Sequence, residues 1–188
     1  MKYSDEFETT IRLSTKYQLD IGVLALGYAA LSNIDARVHA RTFMEELSHF
    51  ANAPVAMATR DRLNMIYLEV VQAEDNLTMR RPIGSTLPLH SSSMGRACLA
   101  AMAEKEREFL LEAIRKRHLD QWLTIKRTLE RSIRDYQDYG YCLSIGEWSK
   151  DVNSVAVPLV HSKYGLLVFN CGAPSYLLNQ EKLENEIG

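Results

Sequence analysis

Three consecutive serines, Ser91, Ser92 and Ser93, stand directly before a run of small and apolar residues, Met94-Gly-Arg-Ala-Cys-Leu-Ala-Ala-Met102. Met94, Ala97, Cys98, Ala101 and Met102 fall at i, i+3, i+4, i+7 and i+8, the spacing of one apolar helix face. Any of the three hydroxyls can accept from the free N–H groups of a first helical turn and serve as N-cap. The helix wall is built almost entirely of small side chains, so another group can approach it closely. A helix N-terminus with open N–H groups beside such a wall suits a carboxylate, and the stretch reads as one side of a ligand pocket. Met94, a flexible thioether at the helix start, would favour a ligand with an apolar or aromatic body.

Other chemistries find little support. His90 could be a ligand or a base, or a structural hydrogen-bonder after Pro88-Leu89. The remaining histidines, His39, His49, His118 and His161, show no H-x-x-x-H or H-E-x-x-H spacing, so no metal site and no cofactor are expected. There is no G-x-S-x-G elbow and no P-loop. Ser93-Met-Gly-Arg96 differs from an S-x-x-K nucleophile pair by an arginine, which cannot act as base. Cys98, Cys142 and Cys171 are odd in number and widely spaced, which argues against a disulfide framework or zinc ribbon and fits a reducing cytoplasm.

Composition bounds the class. The 188 residues are 46% hydrophobic and 24% charged, ordinary for a globular domain. A formal net charge of −2 offers no general footprint for nucleic acid. The basic run Arg115-Lys-Arg-His118 is read as the favourable end of a helix dipole. No apolar run reaches the roughly 18–20 residues of a membrane span, and the polar, acidic N-terminus is no export signal. A cytoplasmic protein follows.

In chain order, Phe7–Tyr17 alternates loosely like a strand, with no partner strand nearby. Asp20 is placed as the cap of a helix over Ile21–Leu31. In it, Ile21, Leu24, Tyr28 and Leu31 have the a/d spacing of a seam between helices, facing either another subunit or the domain's own core. Ser32–Asp35 breaks that helix and starts another, running to about Ala53. A hairpin follows, Val55–Thr59 and Met65–Val71, then a short strand over Leu77–Arg80. After the serine-capped helix come helices over Glu104–Arg117 and Thr124–Tyr139, with Gly140 as a left-handed C-terminal residue. Strands over Tyr141–Ile145, Ser154–Val160 and Leu166–Cys171 precede an amphipathic helix over Ser175–Ile187. Hairpins on both sides of a helical insertion predict an α+β layer, an antiparallel sheet flanked by helices, with an N-terminal linker helix.

Several segments in this order resemble the C-terminal effector-binding domain of IclR-type bacterial transcriptional regulators, whose core is GAF-like. Tyr17–Gly27 is similar to the family's linker-helix entry. Gly84, Leu87-Pro88-Leu-His90 and Met94–Ala100 are similar to its signature helix. Gly140-Tyr141, Glu147 and Val155-Ala-Val-Pro158 match its Gly-Tyr, acidic and Ala-x-Pro positions, and Gly172-Ala-Pro174 its closing Gly-Pro with one residue inserted. The resemblance implies residues 1–16 as the end of a DNA-binding wing, 17–33 as linker and dimerisation helix, and 34–188 as the effector-binding domain. The winged helix–turn–helix itself would lie outside the chain. It implies a homodimer or tetramer that is not an enzyme, responds to a small organic or aromatic carboxylate, and meets DNA only through the missing domain.

The family's pocket positions fall on Ser93, Met94, Ser144, Val152, Ser154, Asn170 and Gly172. Acid-sensing members carry an acidic residue where Ser144 stands. Strand alternation agrees with part of this set: Ser154 and Ala156 share one face, and Asn170 and Gly172 share one face. Such neutral donors facing a helix N-terminus would suit a carboxylate without a buried arginine. The same small residues could equally serve close sheet–helix packing. The competing function is a GAF-like small-molecule enzyme using Cys142 or Cys171 as a thiol nucleophile.

Overall fold

Strand pairing carries the architecture. The computed structural model describes residues 10–13, 16–72 and 81–188, and divides at Val38/His39 into two compact units. In the first, β1 (Thr10–Leu13) and β2 (Lys16–Leu19) pair antiparallel, Thr10 opposite Leu19 and Leu13 opposite Lys16. The predicted lone strand is therefore a two-stranded hairpin; its second arm, Lys-Tyr-Gln-Leu, has too few apolar residues to announce itself by alternation. Helix α1 (Gly22–Ser32) follows. Its N-cap is Ile21, with no side-chain cap bond, so Asp20 is not the cap; the Asp20 carbonyl accepts from Val23 N instead. No residue of α1 is buried.

The second unit is built on a six-stranded antiparallel sheet in the order β5-β4-β3-β8-β7-β6. Helix α2 (Ala36–Ala51) ends at Asn52, whose φ of 51° breaks the helical path. Strands β3 (Val55–Asp61) and β4 (Asn64–Val71) form the predicted hairpin. The strand expected over Leu77–Arg80 lies outside the described residues. The segment that pairs with β4 is β5 (Thr86–Pro88), a sheet edge, where the missing N–H of Pro88 is tolerated. Strands β6 (Cys142–Ile145), β7 (Val152–His161) and β8 (Gly165–Pro174) form the predicted meander, with β8 returning against β3.

Between the two halves of the sheet run α3 (Ser93–Ala101), α4 (Glu104–Arg117) and α5 (Trp122–Tyr139). Gly140 closes α5 at φ 87°, its N–H bonded to Tyr136 O, as the sequence predicts. The core joins Met94, Ala97, Cys98 and Leu99 of α3 with Leu110, Ile114, Ile125 and Leu129 of the other helices and with Ala58, Met65, Cys142, Ala156 and Val168 of the sheet. Even-numbered residues of β7 and β8 face these helices. Odd-numbered Val155, Leu167, Cys171 and Ala173 are buried on the opposite face, where Leu47 of α2 lies beside Val155 and Phe169. The predicted closing helix over Ser175–Ile187 is shorter. A turn through Leu177 and Leu178 precedes α6 (Gln180–Lys182), capped by Asn179, and a π-helical turn over Leu183–Ile187. Leu178 and Leu183, both buried, anchor it, and the Asn153 amide donates to Leu178 O.

One helix departs from its expected amphipathicity. Every residue of α3 from Ser93 to Leu99 is buried, not one stripe alone. Gly95 is the reason: its bare backbone lies against the Leu89 backbone, leaving no room for a side chain.

Candidate functional site

Ser92 is the N-cap of α3. Its Oγ accepts from Gly95 N at 3.1 Å and donates to Pro88 O at 2.7 Å, so its one O–H is spent in holding the helix start. Ser93, the next residue, lies within hydrogen-bond distance of Ser154 on β7, Oγ to Oγ 2.8 Å. One hydroxyl donates to the other, which leaves the pair a single free O–H. Register then assembles the floor: Ser154 pairs with Gly172, Ala156 with Asn170, and Asn170 with Ala56 of β3. A Cβ on Gly172 would stand 2.8 Å from Ser154 Cβ, so glycine keeps the floor open.

These residues border an open cavity. Val152, Leu87, Val70 and Pro54 give it apolar walls, and Tyr67, Arg81 and Trp148 complete it. Of the seven residues predicted for the site, Ser93, Val152, Ser154, Asn170 and Gly172 converge here. Met94 does not line it: fully buried, it belongs to the hydrophobic core behind the helix start. Ser144 is also absent from the lining; it is buried and donates to Ser91 O at 3.1 Å, tying β6 to the serine loop. Both were placed in the site by family position, which does not record which part of an element another segment of this chain covers.

Eight of the lining residues had no place in the sequence-based site, Tyr67, Val70, Trp148 and Arg81 among them. Tyr67 and Val70 share the cavity although strand alternation puts odd and even positions on opposite faces. A β-bulge reconciles them: Met57 pairs with Glu69 and Ala58 with Tyr67, so Leu68 is an extra residue that inverts the alternation. Trp148 sits in the turn between β6 and β7, where Gly146 adopts φ 63° and donates to Val152 O and to the Asn153 side chain. A tryptophan in a glycine-bearing turn was the available signal for it. Arg81, just before Pro82, had none. Its guanidinium lies 4.3 Å over the Trp148 ring. Among the described residues the cavity lining carries one cation, Arg81, beside the neutral polar groups, and no carboxylate. Burial pushes the Tyr67 phenol up to about 12, opposed in part by the Arg81 charge, so it stays protonated at neutral pH.

Behind the cavity wall, Arg96 of α3 is 2% exposed. It donates to Leu143 O at 3.0 Å, more distantly to His90 O, and to Glu147, which also takes Arg131 of α5 at 2.7 Å. The Glu147 carboxylate therefore pins the turn that carries Trp148 to two helices. The His90 ring meets that of His118 at 4.5 Å. Burial, then the charges of His118 and Arg96, hold its pKa down at about 4, which keeps it neutral at pH 7 and fits the structural alternative. All three thiols are buried and burial pushes each up to about 12, the reverse of what a nucleophilic thiolate needs. No cluster of metal-ligating side chains occurs among the described residues, and none of their helices is long and apolar enough to cross a membrane.

The family described as bacterial transcriptional regulator IclR C-terminal matches residues 28–185. The chain belongs to the IclR family. This IclR domain is 61% identical to an IclR family transcriptional regulator from Brucella abortus, covering 96% of the chain and 69% of that structure, with a TM-score of 0.92. The HTH-type transcriptional regulator TsaQ1/TsaQ2 of Comamonas testosteroni is 31% identical over 93% of the chain, which spans 64% of that regulator's length. An IclR homologue from Microbacterium hydrocarbonoxydans, solved with 4-hydroxybenzoate, shares the fold at a TM-score of 0.67 and 19% identity, over 89% of this chain and 69% of that one. The α+β architecture predicted from the sequence is the IclR C-terminal fold.

Proposed function

We propose that the cavity between α3, the β3–β8–β7 floor and the Trp148 turn is the effector site of a transcriptional regulator, and that its ligand is a small organic or aromatic acid. The observation that carries this is the convergence of Ser93, Ser154, Asn170, Tyr67 and Arg81 on one open cavity with apolar walls. The 4-hydroxybenzoate bound by the homologue from Microbacterium supports the ligand class. Ser154→Trp fills the floor beside Gly172 and should abolish carboxylate-induced thermal stabilisation while the unliganded domain still melts cooperatively. Undiminished stabilisation in that variant would remove this cavity from consideration.

Helix α1 is proposed as the dimerisation and linker element. Ile21, Leu24 and Tyr28 are exposed, the last by 73%, and Leu31 is half-buried, together an apolar seam. A second copy of the chain covers that seam in a homodimer or a dimer of dimers. Leu24→Glu with Tyr28→Glu should halve the mass measured by light scattering; an unchanged mass would place the interface elsewhere. Ligand occupancy then shifts the balance between two arrangements of the dimer and re-aims a winged helix, outside this chain, that contacts DNA in the cytoplasm. Regulators as relatives and thiols raised to about 12 favour this non-enzymatic reading over a cysteine enzyme.

A further inference from the structure

The charge distribution of the cavity says more than that it can hold an acid. Among the described residues its lining contains a single formal charge, that of Arg81, and no Asp or Glu. Arg81 forms no ion pair among the described residues, whereas Arg96, Arg41, Arg60, Arg115 and Arg131 each have a carboxylate partner. Arg81 is half-buried, its Cζ lies 4.3 Å over the Trp148 ring, and its charge acts on the Tyr67 phenol. A guanidinium that lies flat on an aromatic ring keeps its N–H groups directed sideways rather than into the ring, free for a ligand.

Building on the effector-site reading above, we propose that Arg81 is the specificity-determining residue of the pocket. It takes the one carboxylate of a monoanionic ligand on the edge of its Trp148-stacked guanidinium, and the ligand's apolar body lies along Val70, Leu87 and Val152. Trp148 acts as a positioning residue, held in turn by its neighbour Glu147 through Arg96 and Arg131. One cation without a competing acid selects a single negative charge: a dicarboxylate would leave its second charge against apolar walls. The Tyr67 phenol, the free hydroxyl of the Ser93–Ser154 pair and the Asn170 amide are left to meet neutral polar substituents on the ligand body.

The test uses three acids, benzoate, 3-hydroxybenzoate and 4-hydroxybenzoate, each against its carboxamide, by titration calorimetry on the wild type, Arg81→Gln and Arg81→Lys. The amide keeps shape and apolar body and removes the charge. At least one acid is expected to bind the wild type 10- to 100-fold tighter than its amide, the range of a charge-assisted hydrogen bond. Arg81→Gln should bring that acid down to the affinity of its amide. Arg81→Lys, a point charge without the planar fork, should recover only part of the difference. Equal binding of acid and amide to the wild type, or acid binding by Arg81→Gln at wild-type strength, would overturn the role of Arg81 and leave the effector site standing. Failure of all three acids to bind the wild type at millimolar concentration would overturn the carboxylate-site reading and the role of Arg81 with it.

Discussion

Gly95→Ala lowers the unfolding free energy of this domain by about 3 kcal/mol, the upper part of the usual cost of overpacking a filled core. The added Cβ would stand well under 3.0 Å from three backbone atoms of Leu89, and backbone cannot rotate out of the way as a side-chain tip can. Leu89 is itself fully buried, and its N–H bonds to Leu63 O at 3.0 Å, so moving it disturbs the β3–β4 hairpin as well as the start of α3. The contrast is Gly27 of α1, where an added Cβ meets nothing within 4 Å. Urea denaturation reads the effect as a lower midpoint at unchanged slope. A variant within about 0.5 kcal/mol of the wild type, the range of an ordinary surface change, would show that Leu89 and α3 are not in close apposition.

The same glycine shows where sequence reasoning ended. The helix over residues 93–101 was legible from its serine cap and its apolar spacing, since both are local properties of consecutive residues. That Leu89 packs on Gly95, and that the helix is buried on all sides, depends on where the chain returns, which no spacing records. The α+β class, the hairpins and the helix closed by Gly140 were legible for the same local reason. So was the shared face of Ser154, Asn170 and Gly172, because the pleat alternates strictly along β7 and β8. Alternation failed at Leu68, where the bulge inverts it and brings Tyr67 and Val70 together. It was silent on Arg81 and Trp148, which stand outside the strands. Met94 and Ser144 were placed in the site by family position alone, and packing assigns them to the core and to the serine loop. The predicted closing helix over-reads an amphipathic pattern; Leu177 and Leu178 anchor a turn instead.

Glu147 is the other residue whose replacement should have a large effect, and its two partners make the argument quantitative. Arg96 is 2% exposed, so a buried guanidinium is left without its carboxylate when Glu147 is lost. Removing one member of a buried pair typically costs 3–5 kcal/mol, most of it the penalty of the unpaired charge left behind. Glu147 is itself 29% exposed, so water partly replaces the lost carboxylate and the lower end applies. Glu147→Ala is expected to cost about 3 kcal/mol, a fall in melting temperature of roughly 6–12 °C for a domain of this size. Arg131 contacts the same carboxylate from a side chain that is 55% exposed, and Arg131→Ala should cost under about 1 kcal/mol. The asymmetry is the test. Two variants of equal and small effect would mean that Arg96 is satisfied by the carbonyls of Leu143 and His90 alone, and that Glu147 is a surface residue. With the expected asymmetry, the turn carrying Trp148 is held by a buried charge, and the stacked Arg81 inherits its position from the core.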